Sequence, residues 1–338
     1  VGEGAGALMA FEQPLSAEEM RRVLGAIMEG RTPPEEIRAF LTTLAERGET
    51  AEELAAAVEV LRAHVVPLPL ANPRDLCDTC GTGGDGQDTL NVSTLAALVA
   101  AAAGVRVVKH GNRAASSRCG SADLLEALGV NLEASPAQVA RCVDELGFGF
   151  CFAPRFHPAM KAVAPIRKEL KIRTIFNLIG PLANPAPLAF QLVGVSETRL
   201  LRPVAEALVR LGVRHGLVVH GTDGLDEVTT TADTIFVEVR DGRLSDGRFE
   251  PEELGVVRTT LMDLRGGDAA HNARVAREML EGRPGAAADI VAANAGCALY
   301  LAGLAPTMAD GAEQAKVTLA AKRAAVLLDR VKALSHAG

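Results

Sequence analysis

The strongest constraint on this chain is a glycine-rich stretch, the glycine turn (residues 78–86, DTCGTGGDG), which lies between a short apolar segment and an alanine-rich helix. Glycine adopts backbone conformations that other residues avoid, and it leaves backbone N–H groups open to close approach. Where such a turn leads into a helix, the helix N-terminus adds partial positive charge, so the pattern favours an anion such as phosphate. The spacing matches neither the P-loop nor the dinucleotide-binding turn, and a tight turn without a ligand is the alternative.

Length and composition indicate a large protein with a mainly aliphatic core. A chain of 338 residues predicts two structural units, or one large α/β unit with an appendage. Apolar residues make up 48% of the chain and aromatic residues only 3%, so the core must consist mostly of Leu, Val, Ile and Ala. The net charge of −7 argues against broad attraction to nucleic acid or to an anionic membrane, and we expect neither as a partner.

Three features bear on cellular location. Residues 1–10 are small, apolar and glycine-rich without a basic region, which predicts a disordered tail rather than a signal peptide. Residues 290–306 carry no charge but are rich in Ala and Gly, so a buried helix is favoured over a membrane span. The six cysteines follow no disulfide framework, which fits a reducing cytoplasm.

Cys77 and Cys80 have the spacing of a zinc or redox motif. Zinc would need a second pair of Cys or His ligands at similar spacing, and the sequence has none. Because Cys80 runs directly into the glycines of the turn, a metal or redox role is disfavoured.

The first part of the chain carries the signals of three amphipathic helices. The stretches Ser16–Glu19 and Thr50–Glu53 have the form of capping boxes, and Thr32–Glu35 (TPPE) is a third helix start. Apolar residues follow each start at helical spacing. The pattern predicts a small helical domain, residues 11–70, and the proline-rich stretch 65–74 predicts an extended linker.

From residue 75 onwards the pattern changes to that of an α/β fold. Runs of apolar and β-branched residues predict buried strands, and helical patterns alternate with them. The predicted fold class is α/β, with a small N-terminal helical domain plus a large α/β domain whose central, mostly parallel sheet is flanked by helices. The expected elements are a strand just before the glycine turn, strands at 105–108, 190–195 and 215–220, a hairpin at 233–244 turning at Asp241-Gly242, and helices at 93–103, 124–128, 158–170, 197–211, 269–281, 286–303 and 310–334.

A second strand-to-helix turn, the basic turn (residues 109–123), follows the strand at 105–108. Its sequence contains KHGNRAASS and then GSAD. In open α/β sheets such turns gather at the carboxyl ends of the strands, so the glycine turn and the basic turn could bind one anionic ligand. Ordinary surface charge is the alternative for Lys109 and Arg113, but both lie among Gly, Asn and Ser rather than on a helix face.

Two further charged sites have the chemistry of ligand binding. Asp226 and Glu227 follow the strand at 215–220 in a glycine-bounded turn, and they offer the hard oxygen ligands that Mg²⁺ prefers. An isolated Asp-Glu pair more often belongs to a solvated turn, so the surrounding sequence must decide between a solvated turn and a metal-binding pair. Arg167 lies in the helical stretch 158–170, where an exposed helix charge is the ordinary interpretation.

Together these motifs resemble those of the anthranilate phosphoribosyltransferase family, which has the class II nucleoside phosphorylase fold. The resemblance rests first on the two turns, GTGGD with N-x-S-T and KHGNR-x-x-SS with GSAD, and it extends from about Ser16 to the C-terminal helices. Further matching motifs are HPAMK at 157–161, Arg167, RTIFN at 173–177, GPL-x-NP at 180–185 and HG-x-DGLDE at 220–227. One departure is Cys119, where the family has Ser, and it puts a single local contact in doubt.

The resemblance implies a pentosyltransferase, one of the glycosyltransferases, that acts in tryptophan biosynthesis. It would transfer 5-phosphoribosyl from phosphoribosyl pyrophosphate to the amino group of anthranilate and release pyrophosphate, the second step of the tryptophan branch from chorismate. It further implies Mg²⁺ as cofactor and a cytoplasmic homodimer that pairs through the small helical domain. That domain, 11–70, would be joined by a segment around 158–185, and the large domain would comprise 75–157 and 186–338, with catalysis in the cleft between the two.

The resemblance also assigns residues to each ligand. For anthranilate they are Gly81, Asn112, His157, Arg167 and Pro181, and for the metal Ser93, Asp226 and Glu227. No general acid or base is assigned, because an aryl amine that attacks an oxocarbenium-like carbon needs little beyond positioning. For phosphoribosyl pyrophosphate the residues are Gly81, Gly84, Asp85, Thr89, Asn91, Val92, Ser93, Thr94, Lys109, His110, Gly111, Asn112, Arg113, Ala114, Ala115, Ser116, Ser117 and Ser121.

Two alternative functions are less favoured. Pyrimidine nucleoside phosphorylases share the fold and bind phosphate at a related glycine turn, but the KHGNR run and the Asp226-Glu227 pair are features of the phosphoribosyltransferases. Nucleic-acid-binding paralogues on this fold would have a basic groove, whereas this chain is acidic and keeps Asn112 and Arg167.

Overall fold

The computed structural model of the chain describes residues 11–114 and 117–337. The expected tail, residues 1–10, lies outside the described residues, as do Ala115 and Ser116 of the basic turn. Within the described ranges seven strands form one sheet. They are β1 (Leu76–Gly81), β2 (Arg106–Gly111), β3 (Phe148–Phe152), β4 (Leu188–Gly194), β5 (His215–Gly221), β6 (Thr234–Arg240) and β7 (Arg243–Phe249).

Fourteen α-helices, counted over the same ranges, accompany the sheet. They are α1 (Ala17–Met28), α2 (Pro34–Arg47), α3 (Ala51–Ala63), α4 (Val92–Ala102), α5 (Ser121–Ala127), α6 (Pro136–Leu146), α7 (Ala153–Phe156), α8 (Ala164–Leu170), α9 (Ile175–Leu182), α10 (Leu201–Arg210), α11 (Ala269–Leu280), α12 (Ala286–Leu301), α13 (Met308–Ala320) and α14 (Arg323–His336). Short 3₁₀ helices lie at Pro158–Ala162, Thr198–Leu200 and Pro251–Leu254.

The strand order is β3-β2-β1-β4-β5-β6-β7, and the first five strands in this order run parallel. The last two are added antiparallel, through the β6-β7 hairpin. Because parallel strands all end at the same edge of a sheet, the turns after β1, β2, β4 and β5 leave it side by side. The predicted fold class is confirmed, and the glycine and basic turns leave from this common edge.

Helices cover both faces of the sheet, so its central strands are buried along most of their length. On one face α4 and α12 pack against β1 and β4, and on the other α10 packs against β5 and β6. Cys77 belongs to the hydrophobic cluster of the first face and Cys80 to that of the second. The two thiols therefore point to opposite sides of β1, as residues three apart on a strand must, and they cannot share one metal or form one redox pair there.

The helical unit is built as its capping signals predict. Capping boxes are present at Ser16 with Glu19 and at Thr50 with Glu53. Glu53 is also buried, and it accepts hydrogen bonds from the backbone N–H of Leu15 at 2.8 Å and of Thr50 at 2.9 Å. The apolar faces of α1–α3 share one cluster with residues of α8 and α9. The exact domain division, 11–70 with 158–185 against the remainder, stays a prediction.

Several elements differ from the sequence predictions, and the helices α6, α7 and α9 were not predicted. β3 was not predicted, because its five residues FGFCF directly follow a helix and leave no room for a longer alternating pattern. The hairpin has its turn at Asp241-Gly242 as predicted, but its second strand extends to Phe249. That extension was missed because β7 is largely polar and exposed and so lacks the apolar pattern of a strand. The expected helix at 310–334 is two helices, α13 and α14, separated at Lys322, whose φ of 57° breaks the helix without a glycine or proline signal.

The uncharged segment 290–306 begins inside α12, as expected for a buried helix. Eleven residues of α12 are buried, and Asn294 among them bonds the backbone of Val228 in both directions, at 3.0 Å and 2.8 Å. Across residues 11–114 and 117–337, no helix has both the length and the hydropathy needed to cross a membrane.

Candidate active site

The glycine turn leaves the carboxyl end of β1 with three glycines in left-handed conformations. Gly83, Gly84 and Gly86 have φ values of 67°, 79° and 71°, which other residues rarely adopt. Gly81 is needed for a different reason, because a Cβ there would overlap the carboxylate of Asp226. The absence of side chains thus lets the turn lie directly against the acidic loop (residues 222–233), which connects β5 to β6.

Two hydrogen bonds join the acidic loop to the glycine turn and to the start of α4. The Asp226 Oδ2 atom accepts the N–H of Gly83 at 2.6 Å, and the Glu227 Oε1 atom accepts the N–H of Ser93 at 3.0 Å. Ser93 lies in the first turn of α4, so the three predicted metal ligands meet where the glycine turn passes into that helix. Their role in metal binding stays a prediction.

The acids here are unfavourably placed for a protein without a bound cation. Burial raises the pKa of Asp226 to about 8, and the neighbouring Asp85 carboxylate acts in the same direction. Burial and the charge of Asp226 raise the pKa of Glu227 well above its usual value, and burial raises that of Asp85. A cation placed among these carboxylates would relieve both their desolvation and their mutual repulsion.

This donor set fits Mg²⁺ better than a metal held by protein alone. No group of three or more His, Cys, Asp and Glu side chains is arranged to hold a metal in the parts of the chain that the structure describes. Mg²⁺ commonly takes only one or two carboxylates and completes its shell with water and substrate phosphate oxygens. Asp226 and Glu227 satisfy that requirement if a phosphate ligand occupies the glycine turn.

A network of buried hydrogen bonds lies beneath the two turns. The Lys109 Nζ atom donates to the carbonyl of Thr79 at 2.7 Å, and Asp78 accepts the side-chain amide of Asn184 at 2.8 Å. Burial raises the pKa of Asp78 to about 6, against the opposing effect of the Lys109 ammonium. Asp78 and Asn184 were quoted in the sequence motifs without a role, and here they tie β1 and β2 to the segment that follows α9.

Two histidine rings lie next to each other near the end of α9, tilted by 57°. The rings of His110 and His157 are 5.0 Å apart, and the His110 Nδ1 atom is 3.2 Å from the carbonyl of Gly180. Burial lowers the pKa of His110 to about 3 and that of His157 to about 4. Both rings are therefore neutral at physiological pH, and each has a buried Nε2 atom without a hydrogen-bond partner among the described residues. The carbonyl of Pro181 is taken by the amide of Gln191 at 2.9 Å.

Arg167 offers a guanidinium without an ion-pair partner. It projects from α8, lies over the ring of Phe176 at 5.4 Å, and makes no salt bridge within 4.0 Å in the described part of the chain. Burial lowers its pKa from the usual value, because no carboxylate compensates the charge. The side chain is thus available to a carboxylate ligand.

The basic turn is held by its own side chains. The Ser121 Oγ atom bridges the N–H and the carbonyl of Asn112, both at 3.1 Å, and Asn112 itself is exposed. Arg113 pairs with Asp123 and Glu126 and lies 5.7 Å from the ring centroid of Phe152. These bonds occupy Arg113, which the sequence assigns to the donor, and its assignment stays a prediction. Gly111, Ala114 and Ser117 lie in the same turn, with the Ala114 N–H on Asp123.

The start of α4 is fixed by contacts that the sequence did not predict. The amide of Asn91 donates to the carbonyl of Cys119 at 2.8 Å, and its oxygen accepts from Asn272 at 3.0 Å. Thr89 pairs with Arg265, which ties the glycine turn to the loop before α11. The thiol of Cys119 is buried, and burial raises its pKa to about 11, so the departure from Ser leaves a neutral side chain at this position. Val92 and Thr94 are buried in the first turn of α4.

The chain matches known proteins over nearly its whole length. Residues 6–65 match the glycosyl transferase family helical bundle domain, and residues 73–325 match the α/β domain of that family. The anthranilate phosphoribosyltransferase of Thermomicrobium roseum is 49% identical over 328 residues, which are 96% of this chain and 94% of that protein. The family assignment follows directly. The chain belongs to the anthranilate phosphoribosyltransferase family.

Solved structures of family members agree with this assignment. The anthranilate phosphoribosyltransferase of Thermus thermophilus superposes with a TM-score of 0.93 at 47% identity, covering 98% of this chain and 99% of that chain. The Saccharomyces cerevisiae enzyme, solved in complex with phosphoribosyl pyrophosphate and Mg, has a TM-score of 0.88 at 27% identity and covers 98% of both chains. The same yeast enzyme has been solved with 4-fluoroanthranilate, with a TM-score of 0.86 at 26% identity over 98% of both chains. The resemblance found in the sequence is confirmed.

The two buried histidines predict how stability depends on pH. A histidine whose folded pKa lies below its unfolded value of about 6.5 stabilises the fold above that pH and loses this contribution as the pH falls. Each ring therefore lowers the free energy of unfolding at pH 5 by about 2 kcal/mol relative to its value at pH 7.5. Urea denaturation measures this free energy of unfolding. Between pH 7.5 and pH 5 it should fall by about 2 kcal/mol less in His110→Gln than in the parent.

The matched control is His271→Gln, because His271 is exposed. This variant should keep the pH dependence of the parent. An unchanged pH dependence in His110→Gln would mean that His110 is protonated in the folded protein at pH 5.

Proposed function

We propose that the chain transfers the 5-phosphoribosyl group from phosphoribosyl pyrophosphate to the amino group of anthranilate and releases pyrophosphate. The observation that carries this proposal is the meeting of the glycine turn, the start of α4 and the acidic loop through the bonds of Asp226 and Glu227, in a chain of this family. It unites anion-binding backbone with metal-binding carboxylates at one point. A phosphorylated donor that carries Mg²⁺ requires that combination.

The donor would bind where the two turns meet. The exposed backbone of Gly84 offers an N–H group to its phosphates, and the N-terminal end of α4 adds partial positive charge nearby. The buried ammonium of Lys109 adds positive charge from below. The remaining donor contacts keep the assignments made from the sequence.

Ser93, Asp226 and Glu227 would hold Mg²⁺. When bound, the ion neutralises the negative charge that develops on the departing pyrophosphate. The support in this chain is the raised pKa of Asp226 and of Glu227, because buried carboxylates of this kind are stabilised by a cation.

Anthranilate would bind between the two turns and α8–α9. Arg167 would pair with its carboxylate through two hydrogen bonds, and the neutral rings of His110 and His157 would face its aromatic ring without adding charge. Asn112 and Gly81, at the ends of the basic and glycine turns, would orient the amine toward the donor.

The reaction needs one bond exchanged at C1 of the ribose. The bond from C1 to the pyrophosphate oxygen breaks, and its electron pair leaves with pyrophosphate. The nitrogen lone pair of anthranilate forms the new C1–N bond, and the amine then loses one proton. The protein's part is to hold the amine in line with the leaving group and to stabilise the charge that develops on the phosphate oxygens.

A cytoplasmic homodimer is the assembly we propose, pairing through α1–α3 and α8. The family resemblance is its support, together with the half-exposed apolar Ile172, which follows α8 at 45% exposure. Ultracentrifugation of the purified protein tests this directly.

The activity is tested by mixing purified protein with anthranilate and phosphoribosyl pyrophosphate, with and without Mg²⁺. We expect a Mg²⁺-dependent loss of anthranilate fluorescence that matches pyrophosphate release mole for mole. If folded protein binds the donor but leaves anthranilate unchanged, the acceptor is a different molecule.

Replacing Arg167 should separate the two substrates. Arg167→Ala removes a charge-assisted pair of hydrogen bonds to the carboxylate, so the KM for anthranilate should rise roughly 10- to 100-fold while that for the donor changes little. The control is Lys168→Ala, the exposed cation next to it on α8, which should behave as the parent. An equal loss of affinity for both substrates would exclude a specific role in acceptor binding.

Neutralising the acidic loop should change both the response to Mg²⁺ and the stability. Asp226→Asn with Glu227→Gln should lower kcat and raise the Mg²⁺ concentration needed for half-maximal rate. An acid with a raised pKa loses stability as the pH rises through that pKa, so without Mg²⁺ the double variant should melt at a higher temperature than the parent at pH 8.5. Asp246→Asn, an exposed acid on β7, is the control. An unchanged Mg²⁺ dependence would place the metal elsewhere.

A further inference from the structure

Arg173 connects the segment before α9 to the glycine turn. Its Nη1 atom donates to the carbonyl of Gly83 at 2.9 Å and also to the hydroxyl of Ser196, which follows β4. Among the described residues, the bond from Arg173 to Gly83 is the hydrogen bond that joins the segment 158–185 to residues 82–86. The sequence contained Arg173 in the RTIFN motif, but no role was assigned to it.

The backbone of Gly83 is thereby held at both its N–H and its carbonyl. Its N–H donates to Asp226 and its carbonyl accepts from Arg173. The guanidinium also lies close to Gly84, where an added Cβ would be 2.7 Å from the Arg173 Nη1 atom. A loop of glycines has many accessible conformations, so fixing the two peptide groups that flank Gly83 selects among them.

The charge of Arg173 is not neutralised by a neighbouring acid. No carboxylate lies within 4.0 Å of its guanidinium in the described part of the chain. The pKa of Glu197 is lowered mainly by the hydrogen bond that Glu197 accepts from Arg199, and the charge of Arg173 makes a smaller contribution. Its Nη2 atom is buried and has no hydrogen-bond partner among those residues. A half-buried, unpaired cation beside an anion-binding loop favours a phosphorylated ligand.

We propose that Arg173 is a positioning residue for the phosphorylated donor. Its hydrogen bond to the Gly83 carbonyl turns this oxygen away from the phosphates and leaves the neighbouring N–H groups facing them. Its positive charge also lowers the electrostatic cost of bringing a polyanion to the turn. Arg167 lies six residues earlier on the same segment, so the segment that receives the acceptor also shapes the site of the donor. This inference rests on the proposed function.

The test compares Arg173→Ala, Arg173→Lys and the control Lys168→Gln, an exposed cation on the same segment. Steady-state kinetics give the KM for each substrate, and calorimetry gives the Kd for phosphoribosyl pyrophosphate and, separately, for pyrophosphate with Mg²⁺. In Arg173→Ala the donor KM and the pyrophosphate Kd should rise roughly 10- to 100-fold while the anthranilate KM stays within about twofold. Arg173→Lys should recover part of the loss, because it keeps the charge and one donor.

Three results would overturn the inference. If the parent binds phosphoribosyl pyrophosphate and Arg173→Ala binds it equally well, Arg173 does not position the donor, and the proposed function is unaffected. An equal rise in both KM values together with a lower Tm means that the residue is only structural. A parent that binds neither phosphoribosyl pyrophosphate nor pyrophosphate overturns this inference and the proposed function together.

Discussion

The contact between the glycine turn and Asp226 is the constraint on which the rest of the site depends. It requires two strands without side chains at their ends, because a Cβ at Gly81 or at Gly194 would overlap Asp226. It also requires β1 and β5 to end at the same edge with only β4 between them, which the parallel order of the sheet provides. Fold and site are therefore linked through one close approach, and the helices on both faces keep the strands in register to maintain it.

The same contact has an electrostatic cost that explains how the site is organised. Burial raises the pKa of both Asp226 and Asp85, and the Asp85 carboxylate raises that of Asp226 as well. The positive charges are kept apart from these acids, with Lys109 bonded beneath the turns and Arg167 and Arg173 on the segment around α8 and α9. A ligand that brings both phosphate and a divalent cation can satisfy the two sets at once, whereas either component alone satisfies only one.

Much of this arrangement could be predicted from the sequence, and the rest depends on contacts between distant residues. The glycine turn, the basic turn and the capping boxes are local patterns, so their residues revealed them. β3 and the division between α13 and α14 were missed because FGFCF is short and Lys322 gives no local signal of its left-handed conformation. Arg173, Asn184 and Asn272 matter through partners 90 to 181 residues away, which no spacing rule reveals.

The division of charge also bears on which acceptor the site can select. His110 and His157 are held neutral by burial, and the guanidinium of Arg167 has no ion-pair partner among the described residues. A charged histidine would be a second possible partner for the carboxylate of an acceptor. In the binding mode we propose, the neutral rings would give an aromatic acceptor an apolar surface and would leave its carboxylate to Arg167, whose planar fork would fix its orientation. Specificity for a planar amino acid with an adjacent amine would then follow from position, because the bound carboxylate would determine where the amine meets the donor.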